Sequence, residues 1–428
     1  MRSNQSFFSF YSVSSFVCFA FAMLFLWSCS APRTTQRSKL QYPYDWESKA
    51  LHPELMLYHS SEDSSLLYFM INSDELLYTR SNPESPFQNT LRIELDIKEI
   101  NGAYRDSIVF QYSSSNSDRS SQKIIGKNKI NLPPSKDYRI SAKIIDENRS
   151  TSSIAILLTS KAQQFHRDNF LIVDERSLAP SFGNSFEIGS TVIISSDRIK
   201  NETIDLHRES KDFALPPPPD AYARPNFQFD PREVSSIQQN TGVHILNIDS
   251  GLHVLSSPGF EGVFCLYGRV RDFPEVRELG TLTTSIRYIC SRNEYRKIKD
   301  STYPKKELDD FWIETAGSKE KAKELIAIYY NRVREANVYF SSLTEGWRTD
   351  RGLIHIVFGN PNKVIKDGED ELWIYGEESN LNSMTFRFVK QNSIYSDNHF
   401  ILERNPMFKP GWDRAVSSWR NGRIFADR

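Results

Sequence analysis

Cysteine is scarce in this 428-residue chain, with four residues, too few for a disulfide-stapled scaffold. Glycine is low as well, at 18 residues, which argues against a glycine-rich nucleotide-binding body. Neither sign of charge prevails. The 53 Lys and Arg against 54 Asp and Glu leave a formal net charge of −1, which excludes a general nucleic-acid coat and an acidic disordered chain. The eight His are scattered singly, so no zinc set is spelled out, and residues 367–371 do not follow calcium-loop spacing. No metal or cofactor is called for. G-x-S-x-G, H-E-x-x-H and Walker motifs are missing, as is any solenoid repeat. What the chain does have is aromatic side chain, at 13%, ample for burying cores. It also has the length for two to four domains at ~100–200 residues each.

A long apolar run is missing too. The stretch 16–27 spans about 12 residues, where a membrane-crossing helix needs ~18–20. With Arg2 as the only charge ahead of it, it reads as the core of a secretory signal. It ends in Leu26-Trp27-Ser28-Cys29. This tetrapeptide resembles the lipobox of bacterial lipoproteins: Leu three before the Cys and a small residue just before it, with Trp27 where the family usually has a small residue. The resemblance implies cleavage after residue 28 and acylation of Cys29. The other readings are a cleaved soluble leader and an uncleaved anchor. Ser30 rather than Asp after the Cys favours the outer membrane by the sorting rules of such lipoproteins. No acidic cluster follows, so the periplasmic face is expected rather than the cell surface. Residues 29–45 are polar, basic and proline-punctuated and read as a flexible tether.

From residue 46 to 164 the pattern has period two. Leu91-Arg92-Ile93-Glu94-Leu95-Asp96-Ile97 and Tyr138-Arg139-Ile140-Ser141-Ala142-Lys143-Ile144 alternate cleanly, as half-buried strands do. Asn101-Gly102 reads as a hairpin turn. A second β block spans 165–296. In it, 243–248 and 252–255 around Asp249-Ser250-Gly251 read as a hairpin, and 262–271 and 282–290 as further strands. Residues 213–232, with the run Pro216 to Pro219, read as a long exposed loop of polyproline character, since a proline run cannot be a central strand. After residue 297 a helical period appears. Ala322, Leu325, Ile326, Tyr329, Val333, Ala336, Phe340 and Leu343 recur at three- and four-residue spacings. Gly317-Ser318 breaks and caps, and Gly346 is expected to close this helix. Strands are expected again at 353–358, 371–375, 384–389 and 399–402. The last stretch, with Trp412 and Trp419 between Arg414, Arg420, Arg423 and Arg428, reads as a terminal helix with Trp in and Arg out, or as a basic face for an anionic partner. The fold expected is multi-domain and mainly β with a C-terminal α+β domain. Two antiparallel, Ig-like β-sandwiches (46–164 and 165–296) precede a helical hairpin packed with an antiparallel sheet (297–428).

Five of the seven Trp lie between Trp312 and Trp419. At their centre stands Glu345-Gly346-Trp347-Arg348-Thr349-Asp350-Arg351-Gly352. The flanks are Tyr329-Tyr330-Asn331-Arg332-Val333, Ala336-Asn337-Val338-Tyr339-Phe340, Phe358-Gly359-x-Pro361, Trp373-x-Tyr375 and Trp419-Arg420-x-Gly422. These motifs, in this order over residues 308–425, resemble the GWxTD domain family, whose members include bacterial lipoproteins with this layout. The resemblance implies architecture and carries no reaction.

Gly346, Trp347, Thr349, Asp350 and Arg351 are therefore the motif residues. They are read first as a corner fixed by one aromatic and a polar turn. The second reading is a groove lined by Trp347, Trp373 and Tyr375 for a glycan or peptide. A catalytic reading would draw on Asp350, His355, Asp370 or Glu371. His355 is expected on the outer face of a strand, and Asp370 and Glu371 in a solvated acidic turn. Cys265 and Cys290, expected on consecutive strands, could form a disulfide or remain buried thiols. The function expected is a membrane-anchored, non-catalytic binding or assembly module of the cell envelope. Its expected contacts are the membrane through the lipid and an envelope protein or glycan, with no nucleic acid. The rival is an envelope hydrolase or glycan/peptide-binding protein working through the aromatic-rich domain.

Overall fold

The structure, a computed structural model, describes residues 38–40, 51–116, 121–163, 165–198, 203–209, 213–222, 233–237, 243–367, 369–376 and 383–425. Cys29 and the leader lie outside the described residues. After a short strand β1 (Ser38–Leu40) come β2 (Glu54–Tyr58), β3 (Ser64–Asn72), β4 (Gln88–Glu99), β5 (Arg105–Ser115), β6 (Lys123–Asn131), β7 (Asp137–Asp146) and β8 (Thr151–Ser160). They form two antiparallel sheets, β2-β3-β6 and β5-β4-β7-β8. The reason is the alternation. In β4, Leu91, Ile93, Leu95 and Ile97 are buried while Arg92, Glu94 and Asp96 face outward. Tyr138, Ile140, Ala142 and Ile144 do the same in β7. A one-residue slip would turn every charge inward, so the register is pinned. The inner faces close on Leu57, Leu67, Phe69 and Ile71 from the other sheet. Asn101 takes a left-handed φ of 61° in the β4–β5 turn, as the Asn-Gly pair predicts.

A second sandwich-like body follows, with β9 (Leu171–Asp174), β10 (Ser185–Glu187), β11 (Thr191–Ser195), β12 (Ile204–Glu209), β13 (Glu233–Ile237), β14 (Val243–Asn247), β15 (Gly251–Ser256) and β16 (Phe264–Arg269). Its sheets are β14-β11-β9 and β10-β16-β15-β12-β13. Two expectations change here. β14 and β15 do not pair as a hairpin but cross from one sheet to the other, and β10 joins β16 in parallel. Phe165, Phe170 and Phe264 meet in its core at centroid distances of 5.0, 5.7 and 4.4 Å. A buried polar seam ties the two bodies. His59 N donates to Asp168 O (2.7 Å). Thr159 Oγ1 donates to Asp168 Oδ2 (2.5 Å) and lies 3.2 Å from His59 Nε2, and Ser65 Oγ lies 2.8 Å from Nδ1. That chain suits a neutral ring protonated on Nε2. Burial, helped by Lys161 and Arg198, pushes His59 down to about 3.

The C-terminal body has α1 (Leu279–Ser285), α2 (Arg292–Lys299), α3 (Pro304–Ala316), α4 (Lys319–Phe340), α5 (Asp350–Phe358), β17 (Lys363–Asp367), β18 (Asp370–Tyr375), β19 (Met384–Lys390), β20 (Phe400–Leu402) and α6 (Lys409–Arg420). The sheet runs β1-β17-β18-β19-β20, all antiparallel. Thus a strand expected at 282–290 is a helix and a 3₁₀ turn. The strand expected at 353–358 is a helix, and Ser38–Leu40, within the expected tether, adds an edge strand. Ser291 and Glu294 form a capping box on α2, Gly317 ends α3 with φ 77°, and Ser318 caps α4. Ile286, Ile289 and Ile298 join the same core as Trp312, Tyr329 and Trp419, so this core recruits residues ahead of 297. The α6 helix buries Trp412, Ala415 and Trp419 and exposes Arg414 and Arg420. Among the described residues no helix is long and apolar enough to cross a membrane.

Candidate functional site

Every residue of α5, from Asp350 to Phe358, is buried. A helix sealed on all sides cannot leave its end groups to water, so protein must satisfy them. The motif does this at the N-terminus. Thr349 Oγ1 accepts from Gly352 N (3.1 Å) while its hydroxyl donates to Gly346 O (2.8 Å). Asp350 adds negative charge in the first turn, where the helix dipole favours it. At the other end Arg332 donates to Ile356 O (3.1 Å) and Val357 O (3.4 Å), and Trp419 Nε1 donates to Val357 O (2.9 Å). Tyr375 donates its hydroxyl to Gly359 O (2.8 Å).

The two motif glycines mark direct backbone contact. A Cβ on Gly346 would stand 1.7 Å from Ala336 O of α4, and one on Gly352 2.0 Å from Gly346 O. Gly346 does not close α4, which ends at Phe340. It opens a 3₁₀ turn over Gly346–Arg348. Trp347 is buried. Its N–H donates to Asn337 Oδ1 (3.3 Å) and its carbonyl accepts from Tyr288 (2.8 Å).

Asp350 and Arg404, each with its side chain 3% exposed, form a fork. Oδ1 accepts from Nη2 (2.5 Å), and Oδ2 accepts from Nη1 (3.1 Å) and from Leu402 N (2.8 Å). The same Nη2 reaches Pro217 O (3.0 Å), and Asn405 N donates to Pro219 O (3.0 Å). The proline run is therefore a strap with Pro216 and Pro219 buried, not an exposed loop. Arg351 is buried between the rings of Phe340 (5.1 Å) and Phe400 (4.0 Å). It donates to Asn398 and lies 3.5 Å from Glu371 Oε2. Glu371 also accepts from Trp373 Nε1 (3.1 Å) and has Lys366 at 3.8 Å.

The expected acidic turn is thus not solvated at Glu371, which points into the core from β18. Asp370, its neighbour, accepts from Arg387 (2.8 Å) and Lys390 N (3.0 Å). His355 does not face out. It is buried, with Nε2 at 2.9 Å from Glu335. Burial lowers its pKa despite the opposing pull of Glu335. Burial alone would raise Glu335, but the hydrogen bond and charge of His355, with Arg334 and Asn331, hold it below the usual range. The pair is a neutral ring donating to a carboxylate.

Trp347, Trp373 and Tyr375 are all buried, so they present no aromatic platform. Trp373 packs on Phe388 (4.8 Å) and Phe340 (5.2 Å). Cys265 and Cys290 are free and buried. They belong to different clusters, Cys265 on β16 and Cys290 beyond α1, the arrangement of the buried-thiol alternative. Burial raises them to about 12 and about 11, so both are inert thiols. A crevice of 1520 Å³ opens where Leu158, Gly262, Arg269, Ser342 and Asn398 approach one another. Among its described lining residues none belongs to 346–351, and neither Trp373 nor Tyr375 contributes.

The residues that complete the site but escaped the sequence reading are Arg404, Arg332, Asn337 and Asn398. Arg332 and Asn337 stand inside the quoted flanking motifs, one α4 turn apart from the core positions, which was the available signal. Arg404 and Asn398 carry none.

The GWxTD domain family matches residues 254–421. The match begins well ahead of residue 308, in β15. No curated protein matches. Two crystal structures show limited likeness. A Bacteroides uniformis β-glucuronidase is 11% identical over 28% of this chain and 14% of its own, with a TM-score of 0.17. A Salmonella α-2-macroglobulin reacted with methylamine is 11% identical over 51% of this chain and 17% of its own, also at 0.17. The chain thus spans under a fifth of either protein's length.

Proposed function

We propose, from the premise that this chain contains a GWxTD domain, that it is a membrane-anchored periplasmic lipoprotein of the outer membrane and a non-catalytic assembly module of the cell envelope. One observation carries the reading: the buried carboxylates at the motif, Asp350 and its neighbour across Arg351, Glu371, are both engaged. Asp350 has both oxygens engaged by Arg404 and Leu402 N, and Glu371 is shared among Arg351, Trp373 and Lys366. A general acid or base must reach a substrate proton directly or through one water, and neither group keeps a face for it. These engagements weigh against a hydrolase built on Asp350 and Glu371, and the burial of Trp347, Trp373 and Tyr375 weighs against a glycan groove. The two β-bodies, taken as Ig-like spacers, would hold the motif domain away from the anchor at Cys29.

The test is metabolic labelling with an alkyne fatty acid, followed by fractionation. The wild-type chain should be labelled and sediment with outer membranes. Cys29→Ala should lose the label and run with soluble protein. Unlabelled wild-type chain in the soluble fraction would refute the anchor. Hydrolysis of an envelope polymer that is abolished by both Asp350→Asn and Glu371→Gln, in variants still folded, would refute the non-catalytic role.

A further inference from the structure

β8 ends its sheet, and among the described residues no strand pairs with its free side. Its sequence, TSSIAILLTS, has no charge, proline or glycine. Its outward side chains are Ile154, Ile156 and Leu158, 60, 53 and 63% exposed. Natural sheet edges are blunted by charge, proline or a bulge. This one has none, and its register with β7 runs unbroken from Thr151↔Asp146 to Ser160↔Asp137.

One bond gives the direction of its backbone groups. Lys161 N donates to Lys136 O (2.8 Å), extending the same register as a directly bonded pair. Such pairs alternate along an antiparallel ladder, so the odd-numbered residues of β8 spend their N–H and C=O on β7. Ser152, Ile154, Ile156 and Leu158 aim theirs at the open side. Among the described residues the far end is engaged: the backbone of Ser160 meets buried His59, and Leu158 borders the crevice toward the C-terminal body.

We infer that β8 pairs antiparallel with β8 of a second copy of this chain, about a twofold axis at Ile156. Residues opposite one another in an antiparallel pair share a face, so even positions must meet even ones. Placing Ile156 against its own copy sets Ile154 against Leu158 on both sides. Every outward N–H and C=O of the three residues then finds a partner, and six aliphatic side chains form one patch in a closed, self-complementary contact. Charge does not oppose this occupant. On β7, Arg139 stands beside Leu158 and Lys143 beside Ile154. In the pair, Arg139 and the second copy's Lys143 lie three strand spacings apart, about 14 Å, beyond a Debye length of about 8 Å. A second β8 brings no charge of its own and sets aliphatic side chains against aliphatic ones on that face.

The inference rests on the assembly reading and names its partner. The full chain carrying Ile156→Cys is oxidised in membranes of cells that produce it. Directly bonded antiparallel pairs hold Cα atoms about 5.5 Å apart, within disulfide reach, so a species of twice the chain mass is expected. Val109→Cys, 60% exposed on the opposite edge strand, should give none. In sedimentation of the detergent-solubilised chain, Ile156→Lys should raise the dimer dissociation constant at least about tenfold. Equal cross-linking at 156 and 109, a wild-type chain sedimenting as monomer, or a cross-linked species of any other mass overturns the pairing. Cross-linking at 156 with the chain outside the membrane fraction would keep the pairing and sink the anchor. A membrane-bound monomer would do the reverse.

Discussion

Gly346→Ala is the sharpest perturbation of the motif. The new Cβ would sit 1.7 Å from Ala336 O and 2.4 Å from Ala336 C. Both are backbone atoms of α4, so no side-chain rotation relieves the clash. Reaching an ordinary contact of 3.4 Å requires α4 and the 3₁₀ turn to part by about 1.7 Å. That movement loosens the bond from Trp347 N to Asn337 and the one from Gly346 N to Ser341 Oγ (2.9 Å). Overpacking against side chains costs about 1–3 kcal/mol; against fixed backbone the cost should reach about 3 kcal/mol or more. For a body of this size that is a fall in Tm of about 6–12 °C. The control is Gly280→Ala. Gly280 is an exposed residue of α1 where an added Cβ would meet a Glu278 oxygen at 3.8 Å. There Ala should stabilise by about 0.5–1 kcal/mol through propensity. Tryptophan fluorescence reports on the right body, because five of the seven Trp lie in it. The reasoning is refuted if Gly346→Ala melts within about 2 °C of wild type, or if the two substitutions shift Tm in the same direction.

Three further outcomes are expected. Arg404→Met should cost about 3–5 kcal/mol by stranding the buried Asp350 carboxylate, while Asp350→Leu combined with Arg404→Met should recover part of the loss; fluorescence melts read both. His59 has its folded pKa lowered to about 3, so the unfolded state takes its proton first. Seam stability is full above pH 6.5 and lost as pH falls toward 3, by about 2 kcal/mol between pH 7.5 and 5. Hydrogen exchange of peptides spanning 57–69 and 157–170 should show this, and His59→Gln should flatten it. The thiols Cys265 and Cys290 should resist Ellman's reagent in the native protein and react in full after denaturation; rapid native labelling would contradict their burial.

Strand alternation was legible because each sandwich sheet has one buried face, as β4 and β7 show. The α3–α4 pair was legible because α4 keeps a half-wet surface, so Leu325, Tyr329, Val333 and Ala336 trace a stripe. α5 was not. A helix buried all round has no polar stripe, and Ile354-His355-Ile356-Val357-Phe358 imitates a strand. Its true marks were local: Thr349 as N-cap and Gly359 as stop. The motif residues themselves were found from the sequence, but their partners were not. Arg404, Asn398 and the Pro217 carbonyl meet Asp350 and Arg351 across long sequence separations, which periodicity cannot register. The 282–290 stretch failed for a different reason, since its Thr-rich segment has strand propensity that packing on Trp312 and Tyr329 overrides.

The sealing of α5 also sets an order of events as the chain is made. Its N-terminal lock needs Leu402 and Arg404, and its C-terminal lock needs Trp419 and, through Arg332, the backbone of Phe425. Leu402, Arg404, Trp419 and Phe425 are all synthesised after α5 itself. Until they emerge, α5 is an apolar segment whose terminal N–H and C=O groups lack their final partners, next to an unfilled core. The body therefore closes in one late step rather than growing helix by helix. A chain truncated even slightly before residue 419 should be a substrate for proteases rather than a shortened domain.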